Sequence, residues 1–173
     1  MWMRLPTPEF RHGKGPGNRR ALRALVAKKP PGLLAYVGGE PVGWVALAPR
    51  EEYARLESSR VLSPVSGERV WSAPCFFVDR AHRGSGLCSA LLEAAARFAS
   101  EHGALAIEGY PQINRAARQP AAFVWTGFES TFRRAGFSEI ARRSPTRPIL
   151  RRDLGGRRAR AAGSANRRPR SRG

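Results

Sequence analysis

The sequence predicts an α/β domain built on a mixed sheet, which is antiparallel in its N-terminal half, has a parallel central pair of strands and is flanked by helices. Residues 73–78 form a continuous apolar run, typical of a strand buried on both faces. Residues 87–102 carry apolar side chains along one face at the spacing of a helix. Residues 104–107 are a second short apolar run, so this stretch predicts a strand, a helix and a strand parallel to the first.

The chain before residue 32 is mostly polar. Only residues 1–5 could form a first strand, which would be short or truncated. Residues 12–17 are rich in glycine and proline, which predicts a flexible loop. Asn18 is a good helix N-cap, and the spacing of apolar residues predicts a helix from there to about Lys29, ended by Pro30.

The other elements follow from alternation and turn residues. They are a β-hairpin at 32–37 and 41–47 around Gly38-Gly39, a short helix at 51–59, a helix at 129–135 capped by Gly136, and a closing hairpin at 137–141 and 147–152. Within the run 73–78, Pro74 cannot donate to a ladder, so we expect a β-bulge there.

Composition limits the classes of function. The chain has 173 residues with ordinary hydrophobic content, which suits one domain, and a formal net charge of +18 that is almost entirely arginine. Residues 151–173 carry nine arginines against Asp153, which is +8 of that charge. No apolar stretch is long enough to cross a bilayer and the start lacks a signal-peptide core, so we expect no membrane association.

Two cysteines are present, Cys75 in the predicted central strand and Cys88 at the predicted helix start. This placement predicts no disulfide and fits a reducing cytoplasm. Apolar surroundings should raise the pKa of Cys75, so we expect an inert core residue rather than a nucleophile. Because no Cys/His cluster has metal-ligand spacing, we expect no metal.

The junction between the central strand and the helix predicts an anion-binding site. Glycines at 84 and 86 would let a ligand approach the free N–H groups of the first helical turn, and Arg83 adds positive charge. A P-loop is excluded because Leu87 stands where that motif needs lysine. A dinucleotide fingerprint is a closer competitor, since Glu108 follows about twenty residues later. The polar loop before Gly84 and the short remaining chain count against it.

The third ligand class is coenzyme A. Phe77-Val78 followed by Arg83-Gly-Ser-Gly86-Leu-Cys88 resembles the glycine loop of the GNAT superfamily of N-acetyltransferases, although Cys88 stands where that family has Gly or Ala. Ser130-Thr-Phe132-Arg-Arg-Ala-Gly136-Phe137 resembles its late helix ending in Gly-Phe. The resemblance covers roughly residues 32–152. It implies a GNAT-like sheet in which the strand before the loop splays from its parallel neighbour, and the pantetheine arm of acetyl-coenzyme A pairs with the exposed edge.

The resemblance implies one continuous cofactor-binding stretch. Its residues are Phe77, Val78, Arg83, Gly84, Ser85, Gly86, Leu87, Cys88 and Ser89, with backbone groups of Phe77 and Val78 meeting the pantetheine. Asp79 and His82 are expected to shape the turn.

Acetyl transfer to an amine needs a base, and Glu108, at the end of the strand parallel to the central one, is the candidate. A strand-end carboxylate paired with an arginine is the alternative. Tyr110 shares the face of Glu108 by alternation and is the candidate acid or substrate contact. The family often has a tyrosine acid where this chain has Phe132, so Tyr110, Ser130 or solvent would substitute.

The acceptor pocket is expected between residues 32–48 and the loop 111–128, with Trp44, Phe123, Trp125 and Phe128 as aromatic walls. The expected function is direct transfer of an acetyl group from acetyl-coenzyme A to a primary amine of a small molecule or protein.

The alternative is a nucleic-acid-associated basic protein, or acetylation of an aminoacyl-tRNA or ribosomal protein. We expect residues 1–154 to form a single domain, a monomer or homodimer, followed by a basic disordered tail at 155–173. The tail has no aromatic residue, so any nucleic-acid contact through it would be weak and electrostatic.

Overall fold

A computed structural model describes residues 1–113 and 125–155. Its helices are α1 (Thr7–Val26), α2 (Ala54–Glu57), α3 (Leu87–Glu101) and α4 (Glu129–Arg134), with short 3₁₀ turns at Arg50–Glu52 and Arg80–His82. Its strands are β1 (Gly32–Val37), β2 (Glu40–Ala46), β3 (Ala48–Pro49), β4 (Trp71–Ala73), β5 (Phe76–Val78), β6 (Ala106–Gly109), β7 (Ser138–Arg142) and β8 (Pro148–Asp153). Phe123 and the predicted tail beyond residue 155 lie outside the described residues.

The strands form a sheet split into two parts, in the orders β1-β2-β5 and β3-β4-β6-β8-β7. In the second part, β4 and β6 are parallel, with Ser72 opposite Glu108, and their neighbours are antiparallel. This confirms the predicted mixed sheet with a parallel central pair. The two hairpins, the short helix after β3 and the late helix before Gly136 also form where the sequence predicts them.

The split falls at Pro74, where the predicted single strand is divided. Residues before it pair with β6 as β4, and residues after it leave β6 and pair with β2 as β5. A proline has no N–H for a ladder, so the chain changes partner at this point. The predicted bulge is therefore a complete change of sheet partner, which opens a gap between β5 and β6.

Helix α3 packs against one face of the sheet, and its apolar stripe supplies the main core. Leu91, Leu92 and Ala95 are almost fully buried there, together with Ile107 of β6 and Val45 of β2. The opposite face carries a second, smaller cluster that includes Tyr53, Leu56 and Ile149. Because strand side chains alternate, Glu108 and Tyr110 point to this second face, away from α3.

The N-terminal prediction was wrong in two respects. Residues 1–5 form a tight turn rather than a strand, with Arg4 N–H donating to the Met1 carbonyl at 3.0 Å. Residues 12–17 are not a loop, because α1 begins at Thr7 and continues through them with one break at Lys14. A proline in the first turn has no N–H to satisfy, which favours this early start. Asn18 is therefore not an N-cap; its side chain donates to the Phe10 carbonyl across the break at 2.9 Å.

Candidate active site

A cavity of about 640 Å³ opens where β5 ends and α3 begins, and we call it the loop cavity. Eight of the nine predicted cofactor-binding residues line it, and Ser85 does not. The eight are Phe77, Val78, Arg83, Gly84, Gly86, Leu87, Cys88 and Ser89. The structure therefore brings this stretch to one side of one cavity.

The loop is held by its own side chains. Asp79 accepts the Ala81 N–H at 2.9 Å, and Ser85 Oγ donates to the His82 carbonyl at 2.6 Å, so Ser85 is turned into the loop. Gly84 and Gly86 have φ values of 81° and 85°, a conformation that disfavours any side chain. Both glycines therefore let the main chain turn into α3 with its first N–H groups unobstructed.

The edge of β5 presents backbone groups to the gap in the sheet. Ala46 N–H donates to the Cys75 carbonyl and Asp79 N–H donates to the Val42 carbonyl, each at 2.8 Å. In an antiparallel ladder, residues whose N–H and C=O bond to the neighbouring strand alternate with residues whose groups point away from it. Phe77 therefore bonds to β2, while the backbone groups of Phe76 and Val78 face the gap. Phe77 lines the loop cavity, but its backbone N–H and C=O are directed to Trp44 of β2 and not to the gap.

Two of the backbone groups facing the gap are already paired. Phe76 N–H donates to the Trp125 carbonyl at 2.7 Å, and Val78 C=O accepts from Arg83 Nε at 3.2 Å. Among the residues that the structure describes, the Phe76 carbonyl and the Val78 N–H have no such partner, and they are the acceptor and the donor that an extended ligand could meet.

Positive charge lies at the mouth of the loop cavity on two elements. Arg83 comes from the loop, and Arg134 comes from α4, where it and Ser130 both line the cavity. Sequence reasoning missed Arg134. Its signal was the spacing of Ser130 and Arg134, which lie four residues apart on a predicted helix and therefore share a face. Cys88 also lines this cavity as a free thiol, and burial raises its pKa.

A second cavity of about 490 Å³ lies on the other face of the sheet, and we call it the aromatic cavity. Five aromatic side chains line it: Trp2, Phe10, Trp44, Tyr53 and Trp125. Trp44 and Trp125 were predicted as walls of an acceptor pocket, whereas Phe128 lines the loop cavity instead. Trp2 and Phe10 were missed because the N-terminal residues were not predicted to pack here.

The two cavities meet at the split in the sheet. Trp125 lines both of them, and Pro74 and Cys75, at the split itself, line the aromatic cavity. Gly43 of β2 faces α3, since a Cβ there would lie 3.1 Å from Leu87 Cδ2, so the alternating Trp44 faces the opposite side. A ligand in each cavity would therefore approach the same point from opposite faces.

The predicted catalytic pair lies in neither cavity but in a cluster that we call the buried ionic node, formed by Arg50, Ser72, Glu108, Tyr110 and Arg151. Glu108 is 1% exposed. One carboxylate oxygen accepts from Tyr110 Oη at 3.0 Å and from Arg50 at 3.3 Å. The other accepts from Arg151 at 2.9 and 3.3 Å. Both oxygens are thus fully engaged.

Tyr110 is equally enclosed. Its hydroxyl accepts from Arg50 at 2.6 Å, lies 2.7 Å from Ser72 Oγ and donates to Glu108. Burial, followed by the neighbouring Glu108 charge, raises the pKa of Tyr110. The roles of Glu108 as base and Tyr110 as acid stay predictions, and these contacts favour a positioning role.

Arg50 was not predicted as a functional residue. It is 5% exposed, and it also donates to the carbonyls of Leu56 and Leu62, which ties the segment after β3 to β6. The sequence signal for a buried arginine was the carboxylate with which Arg50 pairs. A single carboxylate, Glu108, interrupts an otherwise apolar stretch, and a buried charge demands a counter-charge.

Phe132, at the position of the family's tyrosine, is fully buried. Its ring packs edge-on against Phe76 at 5.7 Å and Phe137 at 5.1 Å. It passes so close to β6 that a Cβ at Gly109 would lie 1.8 Å from its ring. Phe132 therefore packs against both β5 and β6 beside the split in the sheet, and it lines neither the loop cavity nor the aromatic cavity.

Within residues 1–113 and 125–155, no group of three or more His, Cys, Asp and Glu side chains is placed to hold a metal ion. In the same residues, no helix combines the length and apolar character needed to cross a membrane.

Comparison with solved structures gives similar folds at low identity. A GNAT-family protein from Desulfovibrio desulfuricans is 18% identical, with a TM-score of 0.52 over 79% of this chain and 76% of that one. The ribosomal-protein-alanine N-acetyltransferase from Brucella melitensis is 17% identical, with a TM-score of 0.50 and the same coverage of 79% and 76%.

The GNAT domain of PAT from S. lividans is 25% identical, with a TM-score of 0.45 over 71% of this chain. The match spans 60% of that protein's length. Among curated proteins, none matches the chain.

Residues 1–120 match the family described as Acetyltransferase (GNAT) family, which is well over half of the chain. The split sheet, the glycine loop before α3 and this match agree, and the chain belongs to the GNAT acetyltransferase family and is an acyltransferase.

Proposed function

We propose that the protein transfers an acetyl group from acetyl-coenzyme A directly to a primary amine. The observation that supports this is the meeting of two cavities at the split in the sheet. One is lined by a glycine loop and two arginines, the other by aromatic side chains, and Trp125 borders both. Two substrates could therefore reach a common point without a covalent enzyme intermediate.

The loop cavity has the features that coenzyme A requires. Its volume of about 640 Å³ is in the range of small-molecule sites. Arg83 and Arg134 supply charge for phosphates, and the first turn of α3 supplies N–H donors. The Phe76 carbonyl and Val78 N–H form a short strand edge that suits the amide groups of a pantetheine arm. The proposal thus moves the backbone contact from Phe77 to Phe76 and keeps Val78.

Acetyl-coenzyme A would supply the acetyl group as a thioester. The amine nitrogen forms the new bond to the acyl carbon, the carbon–sulfur bond breaks, and the proton lost by nitrogen ends on the thiol. Because a free thiol has a pKa of about 8.5, a strong acid is not needed for this departure. Glu108 and Tyr110 would act on this step through the position of β6, since neither lines a cavity.

Thermal unfolding in the presence of acetyl-coenzyme A tests the cofactor part of the proposal. We expect saturating acetyl-coenzyme A to raise Tm by several degrees, since a ligand at a hundred times Kd contributes about 2.7 kcal/mol. Gly86→Trp should abolish this shift by filling the loop cavity.

Gly38→Trp is the matched control for backbone strain. Gly38 also has a positive φ, 58°, but a side chain there would meet open space in the β1–β2 turn. The control should lower Tm without removing the shift. An unchanged Tm of the natural protein at saturating acetyl-coenzyme A would contradict the proposal.

We also propose that residues 1–154 form one domain, located in the cytoplasm, and that residues 155–173 form a basic tail that binds polyanions weakly. If that is correct, retention on immobilised RNA should fall when residues 155–173 are deleted and should fall steeply with salt. Retention that does not depend on the tail would contradict this role.

A further inference from the structure

We propose that the acetyl acceptor is a small primary amine attached to one aromatic or branched apolar body, and that the aromatic cavity binds it in its neutral form. This inference rests on the proposed function, because it assigns the second cavity to the acceptor. It goes further by naming the class of amine.

The aromatic side chains that line the aromatic cavity also make contacts with neighbouring side chains, which restrict their rotamers. Trp2 is 40% exposed and makes two ring contacts: the Arg55 guanidinium lies 3.5 Å from its ring centre, and Phe10 packs edge-on against it at 5.0 Å. Tyr53, on the far wall, is 1% exposed and has the Arg4 guanidinium 4.6 Å above its ring. Rings fixed in this way favour a flat or branched apolar ligand, because their rotamer entropy is already lost.

The charges of the cavity disfavour a cationic ligand. Among the described residues, no Asp or Glu lines it, and its only charged side chain is Arg4. That guanidinium is already neutralised by Glu52 at 2.8 Å and also donates to the Pro31 carbonyl at 3.1 Å. An ammonium entering here would lose hydration without gaining a carboxylate, which favours the uncharged amine. The net charge of +18 also repels polyamines.

The position of the amine follows from the split in the sheet. Pro74 and Cys75 line the cavity on the strand connection that leads to Phe76, whose carbonyl faces the gap. An amine nitrogen at this end and a hydrophobic body against Trp44 and Phe10 would direct a neutral nucleophile toward the loop cavity. Since the nitrogen arrives without an extra proton, the cavity needs no carboxylate base.

The two cysteines allow both cavities to be tested in the natural protein. Cys75 lines the aromatic cavity, Cys88 lines the loop cavity, and both are partly buried free thiols. We would label them with methyl methanethiosulfonate and measure each modified peptide by mass spectrometry. Acetyl-coenzyme A should slow labelling of Cys88 at least fivefold, and 2-phenylethylamine should slow labelling of Cys75 by a similar factor.

The outcomes separate the two proposals. Protection of Cys88 by acetyl-coenzyme A without protection of Cys75 by 2-phenylethylamine overturns this inference and leaves the proposed function standing. Failure of acetyl-coenzyme A to protect Cys88 contradicts the proposed function, whatever happens at Cys75. Protection of Cys75 by spermidine as strong as that by 2-phenylethylamine also overturns the inference.

The charge state of the bound amine can be measured by quenching of tryptophan fluorescence. A primary alkylamine has a pKa near 10, so its neutral fraction rises about a hundredfold from pH 7 to pH 9. The apparent affinity for 2-phenylethylamine should rise by a similar factor, while that for 2-phenylethanol should not change. Equal affinity for the amine at both pH values would contradict binding in the neutral form.

The titratable and charged groups that face the cavity are Cys75, Tyr53, Arg4 and the Met1 amino group. Burial raises the pKa of Cys75 and of Tyr53, so both favour their neutral forms over this interval. Burial lowers the pKa of the Met1 amino group, and the alcohol control reports any effect of its titration on the cavity.

Turnover completes the test. With release of free thiol as the readout, kcat/KM for 2-phenylethylamine should exceed that for spermidine at least tenfold. Leu22→Trp should lower it tenfold or more by narrowing the cavity from α1, without changing protection of Cys88 by acetyl-coenzyme A. Val26→Trp, on the same helix but 57% exposed and outside the cavity, should have no effect. A preference for spermidine would overturn the inference.

Discussion

At the loop cavity, the Val78 N–H and the Phe76 carbonyl face the gap in the sheet near two exposed arginines, whereas in the buried ionic node both carboxylate oxygens of Glu108 have donors. Both regions lie within the same few strands and both are rich in charge. They differ in whether water and a ligand can reach the polar groups. Arg83 is exposed and its side chain donates, among the described residues, to the Val78 carbonyl alone, while Arg50 is 5% exposed, donates hydrogen bonds to four residues and also pairs with Glu57.

This difference distinguishes polar groups that could bind a ligand from polar groups that hold the strands in position. A saturated buried cluster fixes strand positions, because any movement leaves an unpaired charge. A partly satisfied edge next to a cavity can exchange water for a ligand at little cost. We therefore expect substitutions in the node to act on stability and substitutions at the cavity to act on affinity.

The largest effect should come from Glu108→Ala. It leaves the buried Arg50 and the partly buried Arg151 beside an empty space, and removing one member of such a group typically costs about 3–5 kcal/mol of the free energy of unfolding. Urea unfolding measures this loss.

Glu57→Ala is the control for Glu108→Ala, because Glu57 lies 3.0 Å from the same Arg50 guanidinium but its side chain is 42% exposed. It should cost less than about 1 kcal/mol. If the folded Glu108→Gln protein bound acetyl-coenzyme A normally but lost turnover, a positioning role alone would be insufficient and the predicted base role would gain support.

The next effect concerns Gly109, which lies between Glu108 and Tyr110 and under the Phe132 ring. Gly109→Ala would force Phe132 away from β6 and from Phe76, and overpacking of this kind costs about 1–3 kcal/mol. Because Phe76 borders the loop cavity, affinity for acetyl-coenzyme A should fall as well.

Gly43→Ala is the matched control on β2. Its Cβ would lie 3.1 Å from the end of the Leu87 side chain and 3.4 Å from both Leu91 Cδ1 and the Phe77 carbonyl, much less crowded than 1.8 Å at Gly109, so the loss of stability should be clearly smaller. Equal losses for the two variants would show that the Phe132 contact is not what requires a glycine at 109.

A smaller effect is expected from Arg83→Ala. Losing one charged hydrogen-bond donor to a phosphate should weaken acetyl-coenzyme A binding by about 1.4 kcal/mol, which is about tenfold in Kd. Stability should hardly change. Arg80→Ala removes an exposed arginine three residues away that does not line the cavity, and calorimetric titration should find its Kd unaltered. Equal weakening by both variants would indicate only a general electrostatic effect.

The smallest effect concerns the exposed pair of Glu139 and Arg142. The Arg142 guanidinium donates to Glu139 at 2.8 Å and lowers the pKa of that carboxyl. A lowered carboxyl pKa stabilises the fold above the usual carboxyl range and loses this contribution as the pH falls through the lowered value. The difference in stability between the natural protein and Glu139→Gln should therefore shrink toward acid pH, which acid-range thermal scans can detect.

Local patterns explain most of what the sequence predicted correctly. The β1–β2 hairpin follows from alternation around two glycines, α3 from its apolar stripe, and the glycine loop from its position before a helix start. Each of these depends on neighbours within a few residues. They were enough to predict a stretch of which eight residues line one cavity.

The failures share a different cause. Residues 12–17 contain three glycines and Pro16, which locally favour a loop, yet a single break at Lys14 lets α1 pass through them. The walls at Trp2 and Phe10 and the pairing of Arg50 with Glu108, 58 residues apart, are long-range contacts. No local period reports such contacts, so the enclosure of Glu108 by Arg50, Tyr110 and Arg151 was not predicted.

The hydrogen bond from Phe76 to the Trp125 carbonyl closes one end of the gap in the sheet. In the proposed arrangement, that closure fixes how far a thioester can penetrate, and the acyl carbon comes to rest at the border of the aromatic cavity. Any acyl chain longer than acetyl must then extend into the room that the amine occupies. A donor with a longer acyl chain would therefore leave less room for a bulky amine, because the same aromatic rings enclose both.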